Sequence, residues 1–344
     1  MIFVTPSKEY ISYIDFRTLA LLLALMLVVQ GLKSCGLFDV LVNSLMRHIK
    51  NRRQLALMLV MLCFFSSMLI TNDVALITFV PFTIMLLEII SEPAYSIYLI
   101  VLETIAANLG SMFTPIGNPQ NLYLYSISGL SIGDFLKLML PYTGISFLLL
   151  IVTIMLIKPI KITDMSNPDE QTPDIFPLIA YIALFVICIL TVLHILDYRI
   201  MLGIVLAAVL ILNYRLLTKA DYILLLTFVA FFIFIGNMKQ IPAVSNILSS
   251  LVTGRECIVS VAASQIVSNV PAAMLLSGFT DSYSELIIGT NLGGLGTLIA
   301  SMASLISFKF YGKTKDSNTG KYIAVFTVMN VVFLAVLLIG YFLI

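Results

Sequence analysis

The amino-acid sequence predicts an all-α polytopic membrane protein made of two inverted repeats, each with a re-entrant hairpin and a broken, unwound transmembrane helix. Three observations predict this fold class: the apolar composition, the length of the apolar runs, and polar motifs that recur in the same order in both halves. Apolar residues make up 60% of the 344 residues and charged residues 11%. Water-soluble domains of this size do not have such a composition.

The uninterrupted apolar runs predict transmembrane helices. In lipid, backbone polar groups must be satisfied within the protein, so spans are helices or strands of a closed barrel. The runs here are longer than barrel strands and approach the 20 or so apolar residues of a spanning helix. The predicted spans are 18–32, 138–157, 176–195, 200–213, 222–238 and 322–344.

The basic residues predict the topology. If the spans alternate in direction, twelve lysines and arginines fall on one side of the membrane and six on the other, with Lys33 at a helix end. The richer side is predicted to be cytoplasmic. The interrupted stretch 54–90 then enters from the cytoplasm and the stretch 255–280 from outside, which makes the repeats inverted.

Polar landmarks within the apolar sequence indicate an internal duplication. Three of them recur in the same order: Asp15 and Asp221 before an apolar span, LITND at 69–73 and IVSNV at 266–270, and ANLGS at 107–111 and TNLGG at 290–294. The third pair continues without a gap to Thr114 and Thr297. We therefore interpret the two halves as copies of one unit.

The duplication sets the predicted domain boundaries. The first repeat is 1–160, with a hairpin at 54–90, a broken helix at 95–128 and a span at 138–157. A cytoplasmic linker at 161–175 joins it to the second repeat, 176–344, with a hairpin at 255–280, a broken helix at 285–308 and a last span at 322–344. Two spans precede Asp221 but none precedes Asp15, so we expect either an upstream helix in a longer frame or the loss of that helix.

The interruptions predict a binding site near the membrane midplane. Non-helical backbone is tolerated at that depth where it lines a cavity or is buried in protein, and helix ends there bind ions and charged groups. The predicted substrate- and ion-binding residues are Thr71, Asn72, Asp73, Asn108, Gly110, Ser111, Thr114, Pro115, Asn118, Ser268, Asn269, Pro271, Thr290, Asn291, Gly293, Gly294 and Thr297. Sodium is a candidate ligand between Asn72 and Gly110 and between Asn269 and Gly293. The alternatives are close helix packing for the glycines and structural capping for the asparagines.

Two carboxylates lie within apolar sequence. Because an unpaired carboxylate in a span costs on the order of 3 kcal/mol, Asp73 predicts a role in proton or cation handling. Glu103 is open to two interpretations, a functional role or an ion pair with Lys33 or Lys239. The four cysteines and two histidines are scattered, so we predict no metal site, no disulfide and no cofactor besides the coupling ion.

The motifs resemble those of the ion-transporter superfamily that contains arsenite/antimonite permeases, citrate and divalent-anion/sodium symporters and some sodium/proton antiporters. The resemblance lies in TNDVAL at 71–76, TPIGNPQN at 114–121 and SNVP at 268–271, and it is greatest to the bacterial citrate-transporter-like anion permeases. It implies an elevator-type carrier that dimerises. In the sodium-coupled dicarboxylate branch both tips carry Ser-Asn-Thr motifs; here Asp73 and Val270 take the third position, which favours proton coupling.

The sequence thus predicts a secondary active transporter, not an enzyme, that moves a small inorganic or carboxylate-like anion across the inner membrane, coupled to H⁺ or Na⁺. Its expected partners are the anion, membrane lipid and a second copy of the chain, with no nucleic acid. Alternatives within the superfamily are a Na⁺/H⁺ antiporter and an arsenite permease. A distant alternative is an intramembrane enzyme, for which the sequence offers neither a catalytic pair nor zinc ligands.

Overall fold

The computed structural model of the protein describes residues 10–37, 40, 49–90, 95–162, 174–315 and 317–344, without the side chains of 89 and 243–245. Most of the predicted linker at 161–175 and the first nine residues of the first repeat lie outside the described residues. The described chain is helical except for loops and one isolated bridge, between Asn51 and Lys161.

The described α-helices are numbered here in chain order. The first half contains α1 (Tyr10–Tyr13), α2 (Phe16–Ser34), α3 (Arg52–Ile70), α4 (Asn72–Ile89), α5 (Ser96–Ser111), α6 (Pro119–Ser128) and α7 (Ile132–Met155). The second half contains α8 (Ile175–Val192), α9 (Tyr198–Asn213), α10 (Tyr222–Lys239), α11 (Pro242–Val252), α12 (Glu256–Val267), α13 (Asn269–Leu276), α14 (Tyr283–Leu292), α15 (Met302–Gly312) and α16 (Thr319–Leu343). Short 3-10 turns occur at Tyr214–Lys219 and Leu298–Ala300.

Seven of the described helices are long and apolar enough to cross a membrane. Six of them, α2, α7, α8, α9, α10 and α16, coincide with the six predicted spans, and the seventh is α3. The all-α polytopic fold class is therefore confirmed. The sequence analysis missed α11, a helix of 11 residues that begins with Pro242 in its first turn and meets α12 at a bend of 112°.

Two helix–tip–helix units organise the centre of the molecule. The first unit is α3, Thr71 and α4; the second is α12, Ser268 and α13. The first arm of each unit packs on the helix that follows the unit, α3 on α5 and α12 on α14. The second arm packs on the opposite half, α4 on α15 and α13 on α6. The two halves therefore interlock, and the tips lie inside the packed centre.

Matching N-caps begin the long helices that precede each unit. The Asp15 carboxylate accepts a hydrogen bond from the Thr18 amide at 3.1 Å and begins α2, and the Asp221 carboxylate accepts one from the Leu224 amide at 2.9 Å and begins α10. A carboxylate at this position satisfies an amide that has no partner within the helix. This explains why an aspartate precedes the apolar span in both halves.

Contacts between loops agree with spans that alternate in direction. The Arg52 amide donates to the Ile160 carbonyl at 2.9 Å and the Ile162 amide to the Lys50 carbonyl at 3.2 Å, so the start of α3 lies beside the end of α7. Arg17, at the start of α2, donates to the Thr191 carbonyl at the end of α8 at 2.8 Å. The orientation of these ends relative to a membrane stays a prediction.

Candidate functional site

The two tips have the same unusual backbone conformation. Thr71 has φ 71° and ψ 149°, and Ser268 has φ 74° and ψ 154°. This region is populated almost only by glycine, and a residue with a side chain is strained there by about 1–3 kcal/mol. Strain of this kind at two matched positions indicates that the surrounding structure holds both tips in place.

An asparagine follows each strained residue and closes the tip. The Oδ1 of Asn72 accepts from the Asp73 amide at 3.0 Å, and the Oδ1 of Asn269 accepts from the Val270 amide at 3.0 Å. Asn72 makes two further bonds: its amide donates to the Gly117 carbonyl at 3.1 Å, and its Nδ2 donates to Asn108 Oδ1 at 3.0 Å. Both asparagines are buried.

The glycines and polar residues of 110–121 and of 289–297, with two prolines in the first stretch, predict that the broken helices unwind there. Helix α5 continues to Ser111 and α6 begins at Pro119, so the first break is shorter than predicted. Asn118 caps α6 by accepting from the Asn121 amide at 2.9 Å, which allows the helix to restart immediately. In the second half α14 ends at Leu292 and α15 begins at Met302, so this break lies further along the chain than the predicted 289–297.

A threonine in each break holds the first arm of its own unit. The Thr114 hydroxyl donates to the Met68 carbonyl, and the Thr297 hydroxyl donates to the Gln265 carbonyl at 3.2 Å. Met68 and Gln265 each lie three residues before a strained tip. The two threonines, which the sequence analysis assigned to the site, thus link break and tip in both halves.

Reciprocal hydrogen bonds join the two breaks to each other. Asn118 Nδ2, in the first half, donates to Asn291 Oδ1 in the second at 3.0 Å. In the reverse direction, the Ser301 hydroxyl donates to Asn108 Oδ1 at 3.0 Å. The alignment of ANLGS with TNLGG places Asn108 opposite Asn291 and, continued without a gap, Asn118 opposite Ser301. The bond between Asn118 and Asn291 is therefore repeated, with the two halves exchanged, by the bond between Ser301 and Asn108.

A second pair of bonds repeats this pattern. Asn291 Nδ2 donates to Asn121 Oδ1 at 2.6 Å, and Asn108 Nδ2 lies 3.4 Å from the hydroxyl of Ser304. The same continued alignment places Asn121 opposite Ser304. All of these side chains are buried. The result is a cluster of amide and hydroxyl groups, which we call the crossed cluster: Asn108, Asn118, Asn121, Asn291, Ser301 and Ser304.

Glycines allow the broken helices to approach the first arms. A Cβ atom at Gly110 would lie 1.9 Å from the Phe64 carbonyl oxygen and 2.6 Å from Ser67 Oγ, and one at Gly293 would lie 2.6 Å from Ser264 Oγ. Gly294 lies beside the other tip, where a Cβ would be 3.0 Å from Asn269 Nδ2. Close packing thus accounts for Gly110 and Gly293, and sodium binding beside them stays a prediction.

A cavity of about 360 Å³ separates the first tip from α2 and the start of α10. Its polar lining residues are Gln30, Thr71, Asp73, Asn118, Lys219 and Asp221, and apolar side chains of α2 and α4 line much of the remainder. The charged groups in this wall are two carboxylates and one ammonium group. The tip of the second unit does not line this cavity.

The other predicted residues have local partners. The Ser111 hydroxyl donates to the Asn108 carbonyl at 2.9 Å and lies 3.2 Å from Asn118 Nδ2, so it lies at the edge of the crossed cluster. The Thr290 hydroxyl donates within its own helix to the Leu286 carbonyl at 2.7 Å. Pro115 is buried in the first break, and Pro271 lies in the first turn of α13, where a missing amide proton costs little.

Sequence reasoning missed several residues of this site. Gln265 donates from Nε2 to the Gly293 and Leu295 carbonyls at 3.0 and 2.9 Å, and its Oε1 accepts from the Thr297 amide at 2.9 Å. Ser301, Ser304 and Asn121 were also left out of the predicted set. The alignment of the two breaks contained the signal for both serines, because extending it by a few residues pairs them with Asn118 and Asn121.

The geometry so far describes a polytopic membrane protein with two similar tips and a polar centre, and comparison with known proteins identifies its family. The citrate transporter family matches residues 1–285 of the chain. The chain belongs to the citrate transporter family. The chain is therefore a membrane transporter of the citrate transporter and arsenite permease type, and the proteins it resembles are transporters, not enzymes.

Individual relatives from distant organisms agree with this assignment. The chain is 34% identical to the inner membrane protein YbiR of Escherichia coli over 306 residues, which cover 88% of this chain and 82% of the relative. It is 31% identical to an uncharacterized transporter of Methanocaldococcus jannaschii over 332 residues, 96% of this chain and 90% of the relative. It is 36% identical to the silicon efflux transporter LSI3 of rice (Oryza sativa) over 152 residues, 43% of this chain and 31% of the relative.

Proposed function

We propose that the protein is a secondary active transporter that moves a small inorganic or carboxylate-like anion across the inner membrane, coupled to H⁺ or Na⁺, by an elevator-type mechanism. The observation that carries the proposal is the crossed cluster, a buried set of amides and hydroxyls between two broken helices, beside a cavity that reaches one tip. The name of the relative YbiR supports the inner membrane as the location.

Helix ends favour an anion in the cavity. The first residues of α4 and α6 line it, through Thr71, Asp73, Asn118 and Pro119. Amides at a helix N-terminus lack partners within the helix and carry partial positive charge, which attracts anionic groups. Lys219, in the same wall, adds a full positive charge.

The carboxylates of the cavity supply a reason for ion coupling. Asp73 and Asp221 face the same space as Lys219, so with all three groups charged the wall is net negative and repels an anion. A proton on Asp73, or a cation beside it, removes this repulsion. Binding of the anion and of the coupling ion then favour each other, which is the linkage that symport requires.

We further propose that the two units are re-entrant hairpins of inverted repeats and that two copies of the chain form a dimer. The equivalent tips, threonine bonds and crossed contacts support the duplication. Cysteine introduced at position 72 should react with impermeant reagents from the cytoplasm and cysteine at 269 from outside, each in one conformational state. The four native cysteines are buried. Labelling of both positions from the same side in every condition would contradict the inverted arrangement.

An uncharged hydroxide such as arsenous acid, the neutral form of arsenite, is the second candidate substrate. The crossed cluster consists of neutral amides and hydroxyls, which bind a polyhydroxy solute as well as they bind an anion. The relative LSI3, named as a silicon efflux transporter, supports such a solute for this chain. The arsenite permease interpretation of the sequence therefore keeps a structural argument of its own.

Uptake by proteoliposomes tests both candidates. The purified chain is tested with citrate, succinate, sulfate, phosphate and arsenite, with and without sodium and at two pH values, beside protein-free liposomes. We expect one solute class to accumulate and to raise the melting temperature of the protein. Accumulation of arsenite alone would show that the substrate is the uncharged hydroxide and not an anion. No accumulation of any solute, together with no thermal shift, would contradict the proposed function.

A further inference from the structure

A second carboxyl group lies deeper in the molecule than the cavity. Glu103 is in α5, five residues before Asn108, and its side chain has no exposed surface. Its Oε1 accepts a hydrogen bond from the Thr83 hydroxyl of α4 at 2.5 Å, and Thr83 is equally buried. Its Oε2 has no hydrogen-bond partner among the described residues.

The helices packed around α5 offer this carboxyl no cation among the residues that the structure describes. The titratable groups that face it are the Cys63 thiol of α3 and the Tyr322 phenol of α16. From α15, Tyr311 stacks on Tyr322 with ring centroids 5.0 Å apart.

The two remaining neighbours of α5 direct their titratable groups elsewhere. On α14, Glu285 accepts from the Tyr341 hydroxyl at 2.7 Å. On α7, Tyr142 faces Cys257 and the same Glu285. Glu103 is therefore surrounded by groups that are neutral near pH 7.

The environment of Glu103 requires a bound proton. An ionised carboxylate without a cation or several donors is strongly unfavourable in the interior of a membrane protein, and such groups take up a proton instead. A neutral acid has a hydroxyl to donate, yet one oxygen here has no partner. The carboxyl therefore keeps an unused hydrogen-bonding position in this conformation.

The position of Glu103 is not required by the duplicated fold. The alignment of the two breaks places it opposite Leu286, which is fully buried in α14. An apolar side chain therefore satisfies the same packing position in the second half. The carboxyl also contacts the second arm of the first unit through Thr83, and by helix geometry it lies about 7.5 Å along the axis from Asn108 of the crossed cluster.

We propose that Glu103 is a proton-binding site of the carrier, separate from Asp73, and that it exchanges its proton with water during the transport cycle. The inference rests on the proposed ion-coupled transport. A shift of α4 relative to α5 breaks the bond between Thr83 and Glu103 and changes the hydration of the carboxyl, so proton release follows the movement of the first unit. Because Asn108 is on the same helix, the position of the crossed cluster and the protonation of Glu103 influence each other.

Infrared spectroscopy of the reconstituted protein tests the proton site without any solute. We expect the full chain at neutral pH to show a protonated-carboxylic-acid band that shifts in heavy water and is absent from the spectrum of Glu103→Gln. Glu256→Gln is the matched control, because Glu256 also accepts from a threonine hydroxyl, Thr280 at 3.0 Å, but begins α12 away from the crossed cluster. A spectrum unchanged by Glu103→Gln, or a band that does not shift in heavy water, would overturn the proposal.

Transport measurements then test the role in coupling. With whichever of citrate, succinate, sulfate, phosphate and arsenite the wild type accumulates, Glu103→Gln should reduce the acceleration by an inward proton gradient at least threefold, and Glu256→Gln should not. Unchanged acceleration in Glu103→Gln would overturn the coupling role. If the wild type accumulates none of the solutes, the proposed function fails. The infrared comparison of the wild type with Glu103→Gln still decides whether Glu103 binds a proton.

A second variant covers the case in which Glu103→Gln does not fold. Thr83→Val removes the hydroxyl that donates to the carboxyl and so disfavours its ionised form. The infrared band should then persist to a higher pH than in the wild type. If the band is half lost at the same pH in Thr83→Val and in the wild type, Glu103 does not titrate at this site and the proposal is overturned.

Discussion

The first tip carries Asp73 beside a cavity, whereas the second carries Val270 in buried surroundings. Around this difference the two tips agree in detail: a strained residue, an asparagine that accepts from the next amide at 3.0 Å, and a threonine that bonds the first arm. The shared part is backbone architecture, and the charge occurs in one copy. The comparison teaches that one backbone architecture holds two tips of different charge, as expected if the two halves arose by the proposed duplication.

The hydrogen bonds that hold the two tips in place also differ. Gln265 binds two carbonyls and one amide of the second break, whereas Met68, at the matched position of the first unit, contributes only its backbone carbonyl to Thr114. Asn72 instead bonds Asn108 of the crossed cluster directly. The first tip is therefore bonded to the crossed cluster as well as to its own break, through the Asn72 amide and the Gly117 carbonyl, whereas the second is held chiefly by its own break.

The largest effect is expected from replacing the glycines at the helix contacts, Gly110 and Gly293, by alanine. Gly110→Ala places a Cβ 1.9 Å from a backbone oxygen that cannot move away, whereas Gly293→Ala meets a serine hydroxyl at 2.6 Å. Overpacking costs about 1–3 kcal/mol and occasionally more, so Gly110→Ala should yield little folded protein and Gly293→Ala an intermediate amount. Size-exclusion chromatography and thermal melting measure both.

Gly144→Ala and Gly203→Ala are the controls for this comparison. Nothing lies within 4 Å of a Cβ at either position, and alanine is the better helix former, so both variants should be at least as stable as the wild type. Equal stability of Gly110→Ala and Gly144→Ala would refute the close contact between α3 and α5.

Removal of the tip asparagines should separate binding from insertion. Asn72→Ala loses the tip bond and the bond to Asn108, whereas Asn269→Ala loses the tip bond. At about 1 kcal/mol for each bond, we expect uptake to fall tenfold or more in Asn72→Ala and somewhat less in Asn269→Ala, with normal membrane insertion. Uptake rates normalised to folded protein measure this.

Asn318→Ala is the matched control for these variants. Asn318 caps α16 by accepting from the Lys321 amide at 2.9 Å, so the variant loses a similar bond outside the crossed cluster. Its uptake should stay near that of the wild type. Normal uptake in both tip variants would remove the tips from the binding site.

The charge difference between the tips is tested by Asp73→Asn, which makes the first tip neutral like the second. Uptake should lose the part of its dependence on pH or sodium that comes from the tip, because no group remains there to be neutralised, while the part carried by Glu103 remains. Asp197→Asn is the control, since Asp197 caps α9 outside this cavity by accepting from the Arg199 amide at 2.8 Å, and asparagine also caps helices. A dependence on pH and sodium that is unchanged in Asp73→Asn would make Asp73 a structural residue.

The smallest effect concerns the strained backbone that the tips share. Thr71→Gly and Ser268→Gly remove the side chain from a conformation that favours glycine, and Thr71→Ala and Ser268→Ala remove the functional groups but keep the strain. Relief of strain outweighs the entropy cost of glycine, so each glycine variant should exceed its alanine partner by ~1 kcal/mol in stability. Equal melting temperatures within each pair would contradict the strain.

The sequence predicted the elements of this fold better than their contacts. Spans, tips and breaks were predictable because apolar runs and the residues that interrupt them are local signals, and six spans coincide with described helices. Helix α11 escaped because it has only 11 residues and follows α10 after two residues. Gln265 escaped because a polar side chain in an apolar helix has no visible partner in the sequence, whereas Ser304 lies beyond Thr297, the last residue of the aligned motif. The crossed bonds depend on how one half lies against the other.

These crossed bonds have a consequence for the ancestry of the chain. Since Asn108 accepts from Ser301 and Asn291 accepts from Asn118, each half supplies one hydrogen bond to the helix asparagine of the other, in addition to the bonds that Asn72 and the Ile287 carbonyl make within their own halves. If the halves arose by the proposed duplication, the ancestral unit gained these crossed bonds only by pairing with a second copy of itself. Substitutions at 118 and 291 should be tolerated together and rejected singly, as should those at 108 and 301, a pattern of covariation that joins distant parts of one polypeptide.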